Sequence, residues 1–137
     1  MTNLPLADAL KVSSFAEKAI QNPQAPAAII GKYWKGLPNS YERLGADFGF
    51  THLNLPEPSW TEFKLDYGEA SWWPYINEPF AWRVAMSQKP VYVNVNPDDV
   101  SGGNLYAEIQ ALRQLGYTVT GKEIINGIEL WKMVPSP

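Results

Sequence analysis

At 137 residues, with 45% apolar and 18% charged side chains, the chain is long enough for one hydrophobic core and too apolar for wholesale disorder. Its 11 basic and 14 acidic residues give a net charge of −3, which excludes the broad positive surface that nucleic-acid binding normally uses. No cysteine is present, so disulfides and thiolate chemistry are excluded as well.

Local basic sites remain open, the candidates being Lys32 with Lys35 and Arg83 with Lys89. No run approaches the roughly 20 apolar residues that span a bilayer. The first residues, Met1-Thr2-Asn3-Leu4-Pro5, lack the basic segment and apolar core of a signal peptide. The expectation is a soluble protein without membrane insertion, which needs a carrier if it acts outside the producing cell.

Leu6, Ala9, Leu10, Ala16, Ala19 and Ile20 fall at helical spacing, predicting an N-terminal helix within residues 1–22 that Asn22-Pro23 ends. Residues 24–38 hold Pro26, Gly31, Gly36 and Pro38 and read as an irregular connection. Asn39 or Ser40 caps a short helix through Asp47, which Gly49 terminates. Phe50 to Leu55 alternates like a half-buried strand, and Pro56 and Pro58 break it.

Pro79 suits the first turn of a helix to about Ser87, with Asn77 or Glu78 near its cap. Val91–Val95 is the strongest strand, with three valines on one face and Tyr92 and Asn94 on the other. Leu105, Ile109, Leu112 and Leu115 mark a helix face that Gly116 closes. Residues 117–134 flank Asn126-Gly127, a pair that supplies the two positive φ angles of a type I′ hairpin. The whole predicts a small single α+β domain, a short sheet with a C-terminal β-hairpin packed by amphipathic helices. Val91–Val95 lies centrally beside the hairpin, with Ile109, Leu112, Val93 and Phe80 buried. Trp72, like Phe80, is expected to anchor the core.

Candidate chemistry is sparse. His52 is the only histidine and so the only imidazole acid–base; the competing reading is an ordinary solvent-facing strand residue on the face of Asn54. Asp98-Asp99 suits a cation or, alternatively, turn chemistry. No multi-histidine metal site can form, and no metal is assigned. Ser101-Gly102-Gly103-Asn104 opens a helix without a nucleotide fingerprint, so capping is its simpler role. Glu108, one turn into that helix, reads equally as a functional carboxylate or part of a solvated face. No cofactor is specified.

Trp72, Asn77, Pro79, Phe80 and Arg83 stand in a Trp-x4-Asn-x-Pro-Phe-x2-Arg arrangement. A helix, an apolar strand and the segment Tyr106-Ala107-Glu108-Ile109-Gln110-Ala111-Leu112-Arg113-Gln114-Leu115-Gly116-Tyr117 follow. Together with Gly31-Lys32-Tyr33 and Asn39-Ser40-Tyr41 upstream, residues 29–120 resemble the C-terminal toxin tips of bacterial polymorphic toxins. These are the Rhs-repeat, filamentous-haemagglutinin-like and contact-dependent-inhibition proteins. Trp82 stands where an acidic residue often precedes the Arg, and Gln88-Lys89-Pro90 replaces a usual Gly-Asp turn.

The resemblance implies a toxin carried by a larger secreted protein, acting in the target-cell cytoplasm, with a cognate immunity protein as partner. Such tips include nucleases, deaminases and NAD-directed enzymes, so it leaves the reaction open and implies only a nucleic acid or nucleotide as target. On that reading Asn77 orients substrate, Arg83 stabilises phosphate charge and Glu108 is the acid–base, converging at the exit of the Val-rich strand, with His52 in reserve. The alternative is a non-catalytic interaction protein, such as a cytoplasmic immunity protein, with exposed aromatics as anchors.

Overall fold

Two short apolar runs, Ala28–Ile30 and Val91–Val93, are buried on both sides, and around these the sheet is built. The computed structural model describes residues 14, 16–34, 36–54 and 76–136. Within them β1 (Ile20–Gln21) pairs antiparallel with β3 (His52–Leu53) in a small two-stranded sheet. The main sheet orders β2 (Ala28–Ile30), β4 (Val91–Val93), β6 (Ile128–Pro135) and β5 (Tyr117–Ile125). β2 and β4 run parallel, whereas β4–β6 and β6–β5 are antiparallel. The architecture is α+β, with the C-terminal hairpin forming half of the sheet.

Among the described residues, α1 (Tyr41–Phe48), α2 (Glu78–Met86) and α3 (Gly103–Gln114) pack on this sheet. Side-chain alternation along β2 and β4 divides the core in two. Ala28, Ile30, Val91 and Val93 point to one face, where Phe80 and Val84 of α2 and Ile109 and Leu112 of α3 bury them. Ile29 and Tyr92 point to the other, against Leu44 of α1 and Leu130. The expected burial of Phe80, Val93, Ile109 and Leu112 is observed, each exposed by 1% or less. Cover on both faces explains why even Tyr92, which alternation alone places on a polar side, is buried.

Local chemistry sets the element ends. Asn126 (φ 47) and Gly127 (φ 79) form the two-residue turn expected of Asn-Gly, and β5 and β6 pair across it from Ile125 and Ile128. A bulge shifts the register between Val119 and Gly121. Gly49 ends α1 in the left-handed conformation at φ 71. Ser40 does stand at the N-cap, but its hydroxyl does not cap: it accepts from the Trp34 amide (2.8 Å) and donates to Glu42. Gln88 holds φ 57 in the turn after α2, an uncommon conformation for a residue with a side chain.

Four expectations change. Residues 24–38 are not wholly irregular, because Ala28–Ile30 forms β2. The parallel pairing with β4 and complete burial outweigh the flanking prolines. The first helix has ended before Ile20, which instead pairs with Leu53 in β1. The valine-rich strand stops at Val93, because Asn94 turns its side chain to the 31–40 loop. The N-terminal part of the first helix, the Trp72 anchor and Leu55-Pro56 with Pro58 lie outside the described residues.

His52 provides the fourth correction. It is not solvent-facing but only 3% exposed, while Asn54 is exposed, so the two do not present a common surface. Its Nδ1 lies 2.8 Å from the Phe50 carbonyl, and the ring packs on the backbone of Gly45 in α1. A Cβ added at Gly45 would lie 2.3 Å from Nδ1. Gly45→Ala is therefore expected to cost about 1–3 kcal/mol, the usual range for overpacking. In a double-mutant cycle His52→Ala should relieve much of that loss. Additive effects in thermal melts would exclude the contact as its cause.

Candidate functional site

The helix face that faces the core contains one residue that ordinary packing does not favour. Leu105, Glu108, Ile109 and Leu112 occupy positions i, i+3, i+4 and i+7 of α3, which is the inward stripe. Glu108 is accordingly 7% exposed, not part of a solvated face. Burial raises its carboxyl pKa to about 8, a shift that the neighbouring Asn77 side chain only partly opposes. At pH 7 the acid form therefore predominates by roughly ten to one.

Asn77 reaches this carboxyl because it is released from capping. Residues 76 and 77 form a wide π-type turn ahead of α2, a feature often found at functional sites. Pro79 occupies the first turn of α2, where its missing N–H costs nothing, and Asn77 makes no side-chain cap bond. The residue is 9% exposed, and its Oδ1 is buried without a hydrogen-bond partner among the described residues. Buried polar atoms rarely remain unpaired.

Tyr41, at the start of α1, borders the same region. Its hydroxyl donates to the Leu53 carbonyl. Burial raises its pKa beyond the usual tyrosine range, and the nearby negative charge of Glu108, then Glu42 and Tyr33, raises it further. Tyr41 thus stays a neutral donor.

The loops that frame this region leave the adjacent, parallel ends of β2 and β4, the usual location for ligand sites in parallel sheets. Asn94 locks the first loop: its Oδ1 accepts from the Lys32 amide at 2.8 Å, and its Nδ2 donates to the carbonyls of Lys32 and Asn39, each at 2.9 Å.

Of the four residues singled out from sequence, Asn77 and Glu108 come together. His52 lies in the core beneath α1. Arg83 is exposed on α2, its guanidinium held as a fork by Glu17 at 2.8 and 3.2 Å. An exposed pair of this kind is worth about 0–1 kcal/mol. Arg83 and Lys89 do share a depression of about 40 Å³, lined also by Thr51 and Phe80. Its volume is far below the roughly 300 Å³ of a small-molecule pocket. Lys89 is committed there to the Pro23 and Ala25 carbonyls and Thr51 Oγ1, at 2.9–3.1 Å, and desolvation lowers its pKa.

Asp98-Asp99 follows the turn reading. Pro97–Asp99 is a 3-10 turn capped by the Asn96 side chain, which accepts from the Asp98 amide, and Asp98 pairs with Arg113 at 2.6 Å. Tyr41 is the neighbour that sequence reasoning missed. Its place at the first position of α1 reveals nothing of Glu108, 67 residues further on.

No family model, no curated protein and no solved structure matches the chain. No helix among the described residues is long and apolar enough to cross a membrane.

Proposed function

We propose that this chain is an effector enzyme, a toxin tip of the polymorphic class, with Glu108 as its general acid–base and Asn77 as the group that orients it. The observation carrying this reading is the buried Glu108–Asn77 pair, whose carboxyl titrates at about 8. Proton-transfer groups work best when their pKa lies near the operating pH, and burial is the usual means of raising a carboxyl into that range. Because Glu108 rests protonated, its first act is donation to a leaving group, after which it returns as base.

The resemblance of residues 29–120 to toxin tips supplies the setting: delivery by a larger secreted carrier, action in the rival cell's cytoplasm on a nucleic acid or nucleotide cofactor, and neutralisation by a cognate immunity protein. Arg83 is given no step in this reading, its fork being held by Glu17.

A second reading, a non-catalytic interaction protein such as an immunity protein, is favoured by one observation. Trp82 and Met86 stand one turn apart on α2 and are 48% and 80% exposed. Large exposed apolar side chains of this type often anchor protein partners.

Expression in the bacterial cytoplasm without neighbouring genes separates the two. The effector reading expects growth arrest with the native chain and normal growth with Glu108→Gln at equal soluble yield. Unimpaired growth with the native chain favours the interaction protein. Arrest by both chains removes Glu108 as acid–base.

A further inference from the structure

Two polar side chains from the core hold up the loop between β2 and α1. Asn94, 8% exposed, bonds the Lys32 amide and carbonyl and the Asn39 carbonyl, and Ser40, fully buried, accepts from the Trp34 amide. Backbone bonds complete the frame: the Leu37 amide donates to the Trp34 carbonyl at 3.0 Å, Ser40 to Leu37 at 3.3 Å and Tyr41 to Lys32 at 3.1 Å. The loop is thus held at both ends and in the middle, yet Tyr33 is 60% and Leu37 50% exposed, and Lys32 is exposed beside them. A fixed backbone beneath exposed side chains lowers the entropy cost of binding through them.

Charge narrows what can bind. Lys32 and Lys35 are the only charged residues between Lys18 and Glu42, in a chain whose net charge is −3. They flank Tyr33-Trp34, so the segment reads cation, ring, ring, cation. Exposed rings beside isolated cations suit an anionic strand whose bases are free to stack. An acidic protein surface would use the cations but offers no base to lie on Tyr33. A duplex keeps its bases stacked inside, and one short loop cannot reach the many phosphates that hold a protein to it. The loop also stands where the parallel strands β2 and β4 end, next to Tyr41, whose hydroxyl is affected first by burial and then by the Glu108 charge.

We propose that the 31–39 loop is a binding surface for single-stranded nucleic acid, with a base stacked on Tyr33 and the adjoining phosphate at Lys32. That such a strand is the substrate rests on the effector reading; that it binds here rests on the loop alone. The contact is short and weak, because a net negative chain repels the rest of the strand and only one or two phosphates meet a lysine.

Fluorescence anisotropy of labelled ten-nucleotide thymidine DNA and uridine RNA strands, titrated with the full chain, tests this between 50 and 200 mM NaCl. At least one strand should bind saturably at 50 mM with the chain raised to about 1 mM, above the roughly 0.1 mM expected of a weak contact. The logarithm of the affinity should fall against that of salt with a slope between about −0.7 and −1.4, one or two phosphates. A duplex of equal length should bind at least about tenfold more weakly. Tyr33→Ala should weaken strand binding at least about fivefold, the loss of one base–aromatic stack, while Tyr33→Phe stays within about twofold. Lys32→Ala should bring the slope about 0.7 closer to zero. Both side chains are exposed, so melting temperatures should stay native and each loss reads as binding.

No saturable binding of either strand at 50 mM overturns the proposal. So does equal binding of the duplex, native affinity in Tyr33→Ala, or a slope steeper than about −3, which places the strand on a broader basic surface. Equal binding of a ten-residue glutamate peptide marks an acidic protein as the partner and overturns it too. The growth assay stands apart from these outcomes. A native chain that arrests growth yet binds neither strand refutes the loop surface alone, whereas one that binds strands and lets cells grow refutes the effector reading and leaves the surface standing.

Discussion

Between pH 4.5 and 8 the native chain should lose stability as pH rises, and Glu108→Gln should not. A carboxyl titrating at about 8 in the folded state and near 4.5 when unfolded binds its proton more tightly in the fold. Its contribution is fully present below the unfolded value, declines as pH rises through the interval, and is gone above about 8. The span corresponds to a loss on the order of 4 kcal/mol. At pH 5 the two chains should unfold at similar urea concentrations; at pH 8.5 the glutamine variant should be the more stable by several kcal/mol. Parallel stability–pH curves would place the carboxyl in solvent and remove the basis of the site.

The second large effect is expected at Asn94. Asn94→Ala deletes three hydrogen bonds and leaves the Lys32 N–H and the Asn39 carbonyl without their Asn94 partner, while the Lys32 carbonyl keeps the Tyr41 amide at 3.1 Å. The expected cost is about 3 kcal/mol, read as a lower urea midpoint at unchanged slope. Asn94→Asp should not restore the native value, since a carboxylate accepts from the Lys32 amide but cannot donate to two carbonyls. The same contact fixes residue 31: a Cβ there would lie 2.0 Å from Asn94 Oδ1, and φ is +156°. Gly31→Ala should therefore share the defect of Asn94→Ala, with far less than the sum of the two in the double variant. A loss under about 1 kcal/mol in Asn94→Ala would show that water replaces the amide and that the loop is not held by it.

The parts of this fold that were legible are those whose determinants lie within a few residues. Asn126-Gly127 dictates its turn through φ angles alone, and Gly49 ends α1 for the same reason. The alternation Val91-Tyr92-Val93 marks β4 wherever its partners lie. Strand β2 was hidden because three residues buried on both faces carry no polar alternation, and the pairing that stabilises them is with β4, about 60 residues away.

The site divides on the same physical line. Glu108 occupies the inward stripe of α3, a position that helical spacing reveals once Leu105, Ile109 and Leu112 are aligned with it. Asn77 carries no comparable signal, because a residue preceding Glu-Pro-Phe reads as an N-cap. Its side chain turns inward through a π-type turn that no local pattern announces. His52 and Arg83 took roles from neighbours distant in sequence, Gly45 beneath the ring and Glu17 across the surface. Residue type marks both as candidates for chemistry, and only the tertiary contacts show what surrounds them.

The register shift in β5 bears on how this protein meets others of its kind. β5 closes the sheet on one side, and nine residues of outer strand would ordinarily offer a template on which a second chain can add. The dislocation at Val119–Gly121 breaks that ladder into two short pieces, and the charged pair Lys122-Glu123 follows it directly. An approaching strand can align with one piece only by losing the other. This border of the sheet thus resists fibril-like stacking by its own backbone geometry.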